Sequence, residues 1–172
     1  MHPSLSEEVE YKFQYIEFGP SLRKFFFGSD SILIREEYWE LLKHITDYQQ
    51  IVQGRQGAMI LTGHPRIGKS LFLCFTLVYR VIHGLHTAFE SHVGRIYFFG
   101  DFYQLYDRTD AEGHPGAWAL TDSNDQPQQP SGNFIIERST FFTLQAASPQ
   151  PMRWKTWSKY RRAEILAMKL WL

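Results

Sequence analysis

Only one cysteine, Cys74, occurs in the 172-residue chain, so no internal disulfide can form and the fold must be held by its core. Net charge is missing as well. Eighteen Lys and Arg balance 18 Asp and Glu, so no whole-molecule field recruits nucleic acid or a membrane surface. Long apolar runs are also lacking: the longest, Leu71 to Tyr79, is cut by Arg80 and falls well short of the ~20 residues a spanning helix needs. Met1 to Tyr11 carries Glu7, Glu8 and Glu10 and no apolar run, so a secretory leader is not expected. These absences predict a soluble intracellular protein, of cytoplasm or nucleus, with no membrane partner. Apolar side chains are plentiful at 44% of residues and aromatics at 16%, against 21% charged, which fits one globular domain rather than a disordered segment.

Residues 1–30 mix charge, Gly19-Pro20 and the aromatic cluster Phe25 to Phe27, and read as an extended lead-in. Residues 31–172 read as the domain. Ser31 to Arg35 predicts a short strand, and Glu36 to Gln49 a helix, because Tyr38, Leu41, Leu42, Ile45 and Tyr48 recur at helical spacing. Ala58 to Thr62 is an unbroken apolar run ending at a glycine, the pattern of a strand buried on both faces. Lys69 to His83 predicts a helix with a narrow polar stripe at Thr76, Arg80 and His83. Thr87 to Glu90, Val93 to Gly100, Asp101 to Tyr106, Ala117 to Asp122 and Ser139 to Ala147 have strand character, separated by the loops Thr109 to Gly116 and Asp125 to Gly132. Met152 to Leu172, with Trp154, Trp157 and Trp171, reads as helical. Strands alternating with helices predict an α/β fold of three layers, a mainly parallel sheet with helices on both faces.

Gly63 to Ser70 reads GHPRIGKS, the spacing Gly-x-x-x-x-Gly-Lys-Ser between a buried strand and an apolar helix. Each fixed residue answers a physical need of a phosphate cradle. Gly63 and Gly68 let the backbone curl so that N–H groups face inward, where a side chain would block a phosphate. Lys69 brings a point charge to the terminal phosphates, and Ser70 offers a hydroxyl to Mg²⁺. The helix adds its positive N-terminal end. His64, Pro65, Arg66 and Ile67 between the glycines, and Leu71 after them, complete the expected nucleotide-binding set. Arg66 stands where a small residue is usual. It is a strained residue if that position needs φ > 0, or a further phosphate contact.

A metal-side acid is expected at the end of a neighbouring buried strand, and Asp122 is the candidate, with a turn-capping Asp as the alternative. Ser123 follows it, where many ATPases carry a water-orienting Glu. Glu90, at the end of the strand after the first motif helix, is the substitute, and Asp125 a weaker one. Gln145 and Ser148, at the end of the next strand, are candidates to sense the terminal phosphate. Lys69, Asp122 and Glu90 therefore form the catalytic set to test, and Ser70 and Asp122 the metal set.

Four segments, SILIREEYWELL, ILTGHPRIGKSLFL, AWALTDSN and LQAASPQPMRWKTW, resemble the P-loop NTPase domain of fungal Crinkler-like and retrotransposon-hot-spot-like proteins, over roughly Ile32 to Trp157. The resemblance implies an ATP ligand with Mg²⁺ and a sheet in which the strand carrying Asp122 lies between its neighbours. It carries Gly63, Gly68, Lys69 and Ser70 over to the phosphate loop and Asp122 to the metal-side acid. Family loops usually have glycine at the place of Arg66. Such domains are commonly followed by a further region, and with the sequence given ending at Leu172 a last strand and lid are expected to be missing.

Three functions follow. The first is an ATP-binding domain, an Mg²⁺-dependent ATPase or a switch for a protein partner or attached module. The second is a small-molecule phosphotransferase, with Asp107-Arg108 at an acceptor site. The third is a non-catalytic nucleic-acid or protein adaptor, using Arg153, Lys155, Lys159, Arg161 and Arg162 interleaved with Trp154, Trp157 and Tyr160. A solvated basic face over a docked aromatic face is the plainer reading of that strip. His83, His86 and His92 lack the paired spacing of a zinc site, and Cys74 in an apolar helix reads as core.

Overall fold

The structure, a computed structural model, describes residues 14–17, 19, 23, 29–52, 57–90, 95–100, 104–106, 116–123, 129–136 and 139–169. The Phe25 to Phe27 cluster, His92, Asp107-Arg108, Asp125 and Trp171 lie outside them. In chain order the elements are β1 (Gln14–Glu17), β2 (Ser31–Ile34), α1 (Glu36–Ile51), β3 (Ala58–Thr62), α2 (Lys69–Ile82), β4 (Thr87–Glu90), β5 (Ile96–Phe99), β6 (Gln104–Tyr106), β7 (Trp118–Asp122), α3 (Gly132–Ile135), β8 (Phe142–Ala146), α4 (Lys155–Arg161) and β9 (Glu164–Ala167). Strands β1 and β2 pair antiparallel as a small separate sheet, with Tyr15 opposite Leu33. The main sheet has seven strands in the order β6-β5-β4-β7-β8-β3-β9. Its run from β4 to β9 is parallel throughout, and β5 and β6 extend it antiparallel at one edge.

Side-chain alternation sorts the core into two faces. Met59 and Leu61 of β3, Trp118 and Leu120 of β7, and Leu144 and Ala146 of β8 meet Tyr38, Ile45, Phe72 and Phe75 of α1 and α2. The alternate residues point the other way. Ala119 packs with Phe134 of α3 and Phe141, and Ile60 packs with Trp157 of α4. Helices thus cover both faces of a mainly parallel sheet, and near-continuous burial along β3, β7 and β8 follows from having no wet face.

Two sequence expectations are corrected. Residues 164–167 are a strand rather than helix, so a strand does follow β8: β9 lies parallel to β3, with Ile165 opposite Ile60. The helix before it stops at Arg162, which takes the left-handed φ of 47° and reverses the chain. The alternation Glu164, Ile165, Leu166, Ala167 is too short to separate from helical spacing by eye. The polar stripe expected along α2 is also corrected at two of its three residues. His83 is exposed, but Thr76 and Arg80 are buried, whereas Leu71, Val81 and Ile82 are exposed. Arg80 lies over the Trp118 ring at 4.3 Å and donates to Thr87 Oγ1, His86 O and Gly116 O. A guanidinium with planar faces and five donors can be buried in this way where a lysine cannot.

Arg161 is the second inward cation. It is fully buried and donates to the carbonyls of Gly57, Ile136, Ser139 and Phe141, fastening the ends of β3, β8 and α3 together. Burial pushes it down to about 10. Arg161→Leu leaves those carbonyls unpaired and is expected to cost about 3 kcal/mol, at the upper end for buried groups. Urea denaturation reads it, and a loss under about 1 kcal/mol contradicts the staple. Burial also raises the Cys74 thiol from 9.0 to about 12, with Asp122 adding to the shift. A folded pKa above the unfolded one means stability falls as pH climbs from 9 toward 12. Native protein should resist a thiol reagent at neutral pH and react only on unfolding, and rapid labelling of the folded chain would refute the burial of Cys74.

Candidate functional site

The C-terminal edge of the parallel run is where β3, β7, β8, β4 and β9 all deliver their last residues. At such an edge, next to a crossing in strand order, α/β sheets open crevices. Here β3 passes into the turn 63–68 and on into α2. Three residues of that turn have left-handed φ: Gly63 at 140°, Arg66 at 64° and Gly68 at 101°. A Cβ on Gly63 would stand 3.0 Å from the Met168 carbonyl oxygen, just past β9. A Cβ on Gly68 would stand 2.9 Å from the Tyr38 hydroxyl. Both glycines are therefore required by φ and by space. Arg66 has no such exemption, and its conformation costs about 1–2 kcal/mol.

Helix α2 starts at Gly68 with no side-chain cap and no acid in its first turn. The N-terminal end of a 14-residue helix, capped by a glycine and carrying no acid in its first turn, thus faces an opening. That opening is a cleft of about 380 Å³ lined by Pro65, Arg66, Gly68, Lys69, Ser70, Leu71 and Ser148, within the roughly 300–1,000 Å³ of small-molecule sites.

Lys69 is buried although charged. Its Nζ donates to the carbonyls of Gly63 at 3.0 Å and His64 at 2.8 Å, so the ammonium is folded into its own loop. Desolvation pushes its pKa down and the Asp122 carboxylate pulls it back up, which places Asp122 within electrostatic reach of the loop. Asp122 ends β7 with its Cα level with Ala146 of β8. Ser148, two residues beyond β8, lines the cleft, and its Oγ is buried with no hydrogen-bond partner among the described residues. Of the residues expected from sequence, Gly68, Lys69, Ser70, Arg66, Pro65, Leu71 and Ser148 meet at the cleft. Ile67 is buried beneath it and His64 is exposed at its rim.

Other candidates are engaged elsewhere. Gln145 is fully buried on the opposite face, where its Oε1 accepts from Trp157 Nε1 at 3.1 Å. The alternation that aims Leu144 and Ala146 at α2 aims Gln145 away. Glu90 ends β4 and is buried; its Oε2 accepts from Thr121 Oγ1 at 3.1 Å and from Ser131 N at 2.9 Å, anchoring the segment before α3. Ser123, in the place of a water-orienting Glu, gives its Oγ to the Ala146 carbonyl at 3.0 Å. In the basic aromatic strip, Trp157 and Arg161 face the core while Lys155, Lys159 and Tyr160 face solvent. Among the described residues no three His, Cys, Asp or Glu side chains gather as a metal centre.

Sequence reading missed the support behind the loop. Arg35, just before α1, donates from Nη1 to the Ile67 carbonyl at 2.7 Å, and Tyr38 Oη donates to the Gly68 carbonyl at 3.2 Å. Only the closeness of SILIREEYW to the motif's own strand–turn–helix in the folded chain reveals this, and no local pattern signals it. Comparison of the chain with protein-family models, curated proteins and solved structures gives no significant match.

Relief of the left-handed strain is directly measurable. Arg66→Gly should raise the unfolding free energy by about 1 kcal/mol, part of the gain being offset by the extra freedom of glycine in the unfolded chain. Thermal and urea denaturation check it, and a destabilised variant would mean that the Arg66 side chain contributes more contact than its backbone costs.

Proposed function

We propose that the chain binds a nucleoside triphosphate, ATP being the expected ligand, through the loop Gly63 to Ser70, as a P-loop NTPase-like domain of the kind its resemblance to fungal Crinkler-like and retrotransposon-hot-spot-like proteins implies. The observation that carries this reading is the glycine-capped N-terminus of α2, with no acid in its first turn, opening beside a buried ammonium into a cleft at the C-terminal edge of a parallel sheet. Backbone N–H groups and a helix end suit an anion of several charges. The buried amine supplies the charge-assisted contact. Incoming phosphate oxygens would replace the Gly63 and His64 carbonyls as its acceptors. Ser148 offers a second hydroxyl from the segment after β8, and Arg66 a cation at the rim.

Ser70 and Asp122 pair a hydroxyl with a carboxylate, the hard oxygen donors that Mg²⁺ prefers, and are the residues that would hold it. A bound Mg²⁺ would neutralise charge on the phosphates. The arrangement supports binding more strongly than turnover. Glu90 Oε2 accepts from Thr121 and Ser131, Ser123 Oγ donates to Ala146, and neither residue lines the cleft, which argues against either as the group that orients a water there. A switch that meets its missing catalytic group on a protein partner fits this better than a self-sufficient ATPase. The adaptor reading is weakened because Trp157 and Arg161 of its strip are inside the protein. Asp107 and Arg108, on which the phosphotransferase reading rests, lie outside the described residues, and none of the described residues lining the cleft adds support for an acceptor site.

Lys69→Ala should weaken ATP binding by at least about 2 kcal/mol, the worth of a charge-assisted phosphate contact. Calorimetry with Mg²⁺ checks it, and unchanged affinity removes the assignment. Arg66→Gly should weaken the same binding and flatten its salt dependence even as it stabilises the fold. Purified chain should release phosphate very slowly or not at all; rapid Mg²⁺-dependent release abolished by Asp122→Ala and Glu90→Gln would make Glu90 catalytic after all.

A further inference from the structure

The first turn of α1 lines no part of the cleft, yet it grips the cleft's wall from behind. Arg35 is held between the Ile67 carbonyl and the Glu37 carboxylate, with its guanidinium 5.4 Å from the Tyr38 ring. Tyr38 is buried and donates to the Gly68 carbonyl, which also accepts from Phe72 N within the helix. Glu37 in turn accepts from Lys169 N at 3.0 Å, at the end of the β9 segment that abuts Gly63. The fit at Gly68 is close on this side, since a Cβ there would lie 2.9 Å from the Tyr38 hydroxyl and 3.3 Å from Arg35 Nη1.

In a trans peptide the C=O and the following N–H point in opposite directions. Drawing the carbonyls of Ile67 and Gly68 toward α1 therefore turns the N–H groups of Gly68 and Lys69 away from α1. Gly68 and Lys69 are cleft residues, so those two donors are aimed into it. Glycine at 68 leaves its peptide planes freer to rotate than another residue would; the bond from Phe72 N holds the Gly68 carbonyl from within α2, and Arg35 and Tyr38 hold the pair from the other side. We infer that Arg35 and Tyr38 are positioning residues for polyphosphate recognition: they orient the backbone donors of the loop without touching the ligand. This rests on the proposed phosphate-binding role of the loop and adds to it which side chains outside the loop preset its N–H groups.

The test is calorimetric titration of the full chain with inorganic tripolyphosphate, well below each variant's thermal midpoint, for the unaltered protein, Arg35→Gln, Arg35→Lys and Tyr38→Phe. Arg35→Gln should lose about tenfold in affinity and Tyr38→Phe about fivefold, the worth of one or two hydrogen bonds. Arg35→Lys keeps a donor for Ile67 and should stay within about threefold of the unaltered protein. Tyr38→Phe alters neither charge nor the ring packing, so its loss cannot come from a weaker field and it stands in if an Arg35 variant does not fold. Tyr38→Phe at full affinity, or Arg35→Lys as weak as Arg35→Gln, overturns the positioning role alone. Failure of the unaltered protein to bind tripolyphosphate overturns the phosphate reading, and this inference with it.

Discussion

The chain has to leave a strand buried on both faces and enter, within six residues, a helix that is itself mostly buried. β3 has no exposed side, and α2 presents Phe72, Leu73, Cys74, Phe75 and Leu77 to the core. A turn between two such elements has no room for large side chains on its inner wall. It meets the constraint with glycines at 63 and 68 and a left-handed residue at 66. The same geometry puts a glycine, which has no side chain to cap the helix, at the start of α2. Packing thus creates the group of donors that gives the site its chemistry.

Three buried cations show how differently the protein uses desolvated charge. Arg80 and Arg161 satisfy carbonyls and hydroxyls, and burial lowers them to about 9 and about 10. They sit at the N-terminal side of the sheet and under α4, away from the cleft, and act as multi-donor staples. Lys69 has only one terminal nitrogen, rests on two carbonyls of a glycine loop, and has its pKa drawn back up by the charge of Asp122 at the end of β7. A guanidinium fork suits permanent fastening, whereas a single ammonium can exchange acceptors when an anion arrives. The contrast separates structure from site among residues that composition alone treats alike.

What was legible in the sequence follows from how far each signal is local. The β3–loop–α2 unit was readable because an apolar pentad, two glycines and a lysine lie side by side. The alternation of strands and helices was enough for a mainly parallel sheet covered on both faces. Strand β9 was not readable: four residues pair with β3 about a hundred positions earlier, and their neighbours Trp154 and Trp157 carry helical spacing. Arg80 and Thr76 were misread because polarity normally marks the wet face of a helix, and only the Trp118 ring and the carbonyls around it make the inside hospitable to a guanidinium. Gln145 looked available at a strand end because sequence does not say which face the last residues take. The Arg35 and Tyr38 contacts span about thirty residues and depend on how α1 settles against the loop, which no periodicity encodes.

The central proposal is that this loop binds the phosphates of a nucleotide. A crystal structure of the chain with Mg²⁺ and a non-hydrolysable ATP analogue tests it most directly. The account predicts phosphate oxygens accepting from the amides of Gly68, Lys69 and Ser70, with Lys69 Nζ moved off the Gly63 and His64 carbonyls onto the phosphates. Nucleotide bound at another surface, or a saturated crystal in which the loop is empty and Lys69 still lies on those two carbonyls, would contradict it.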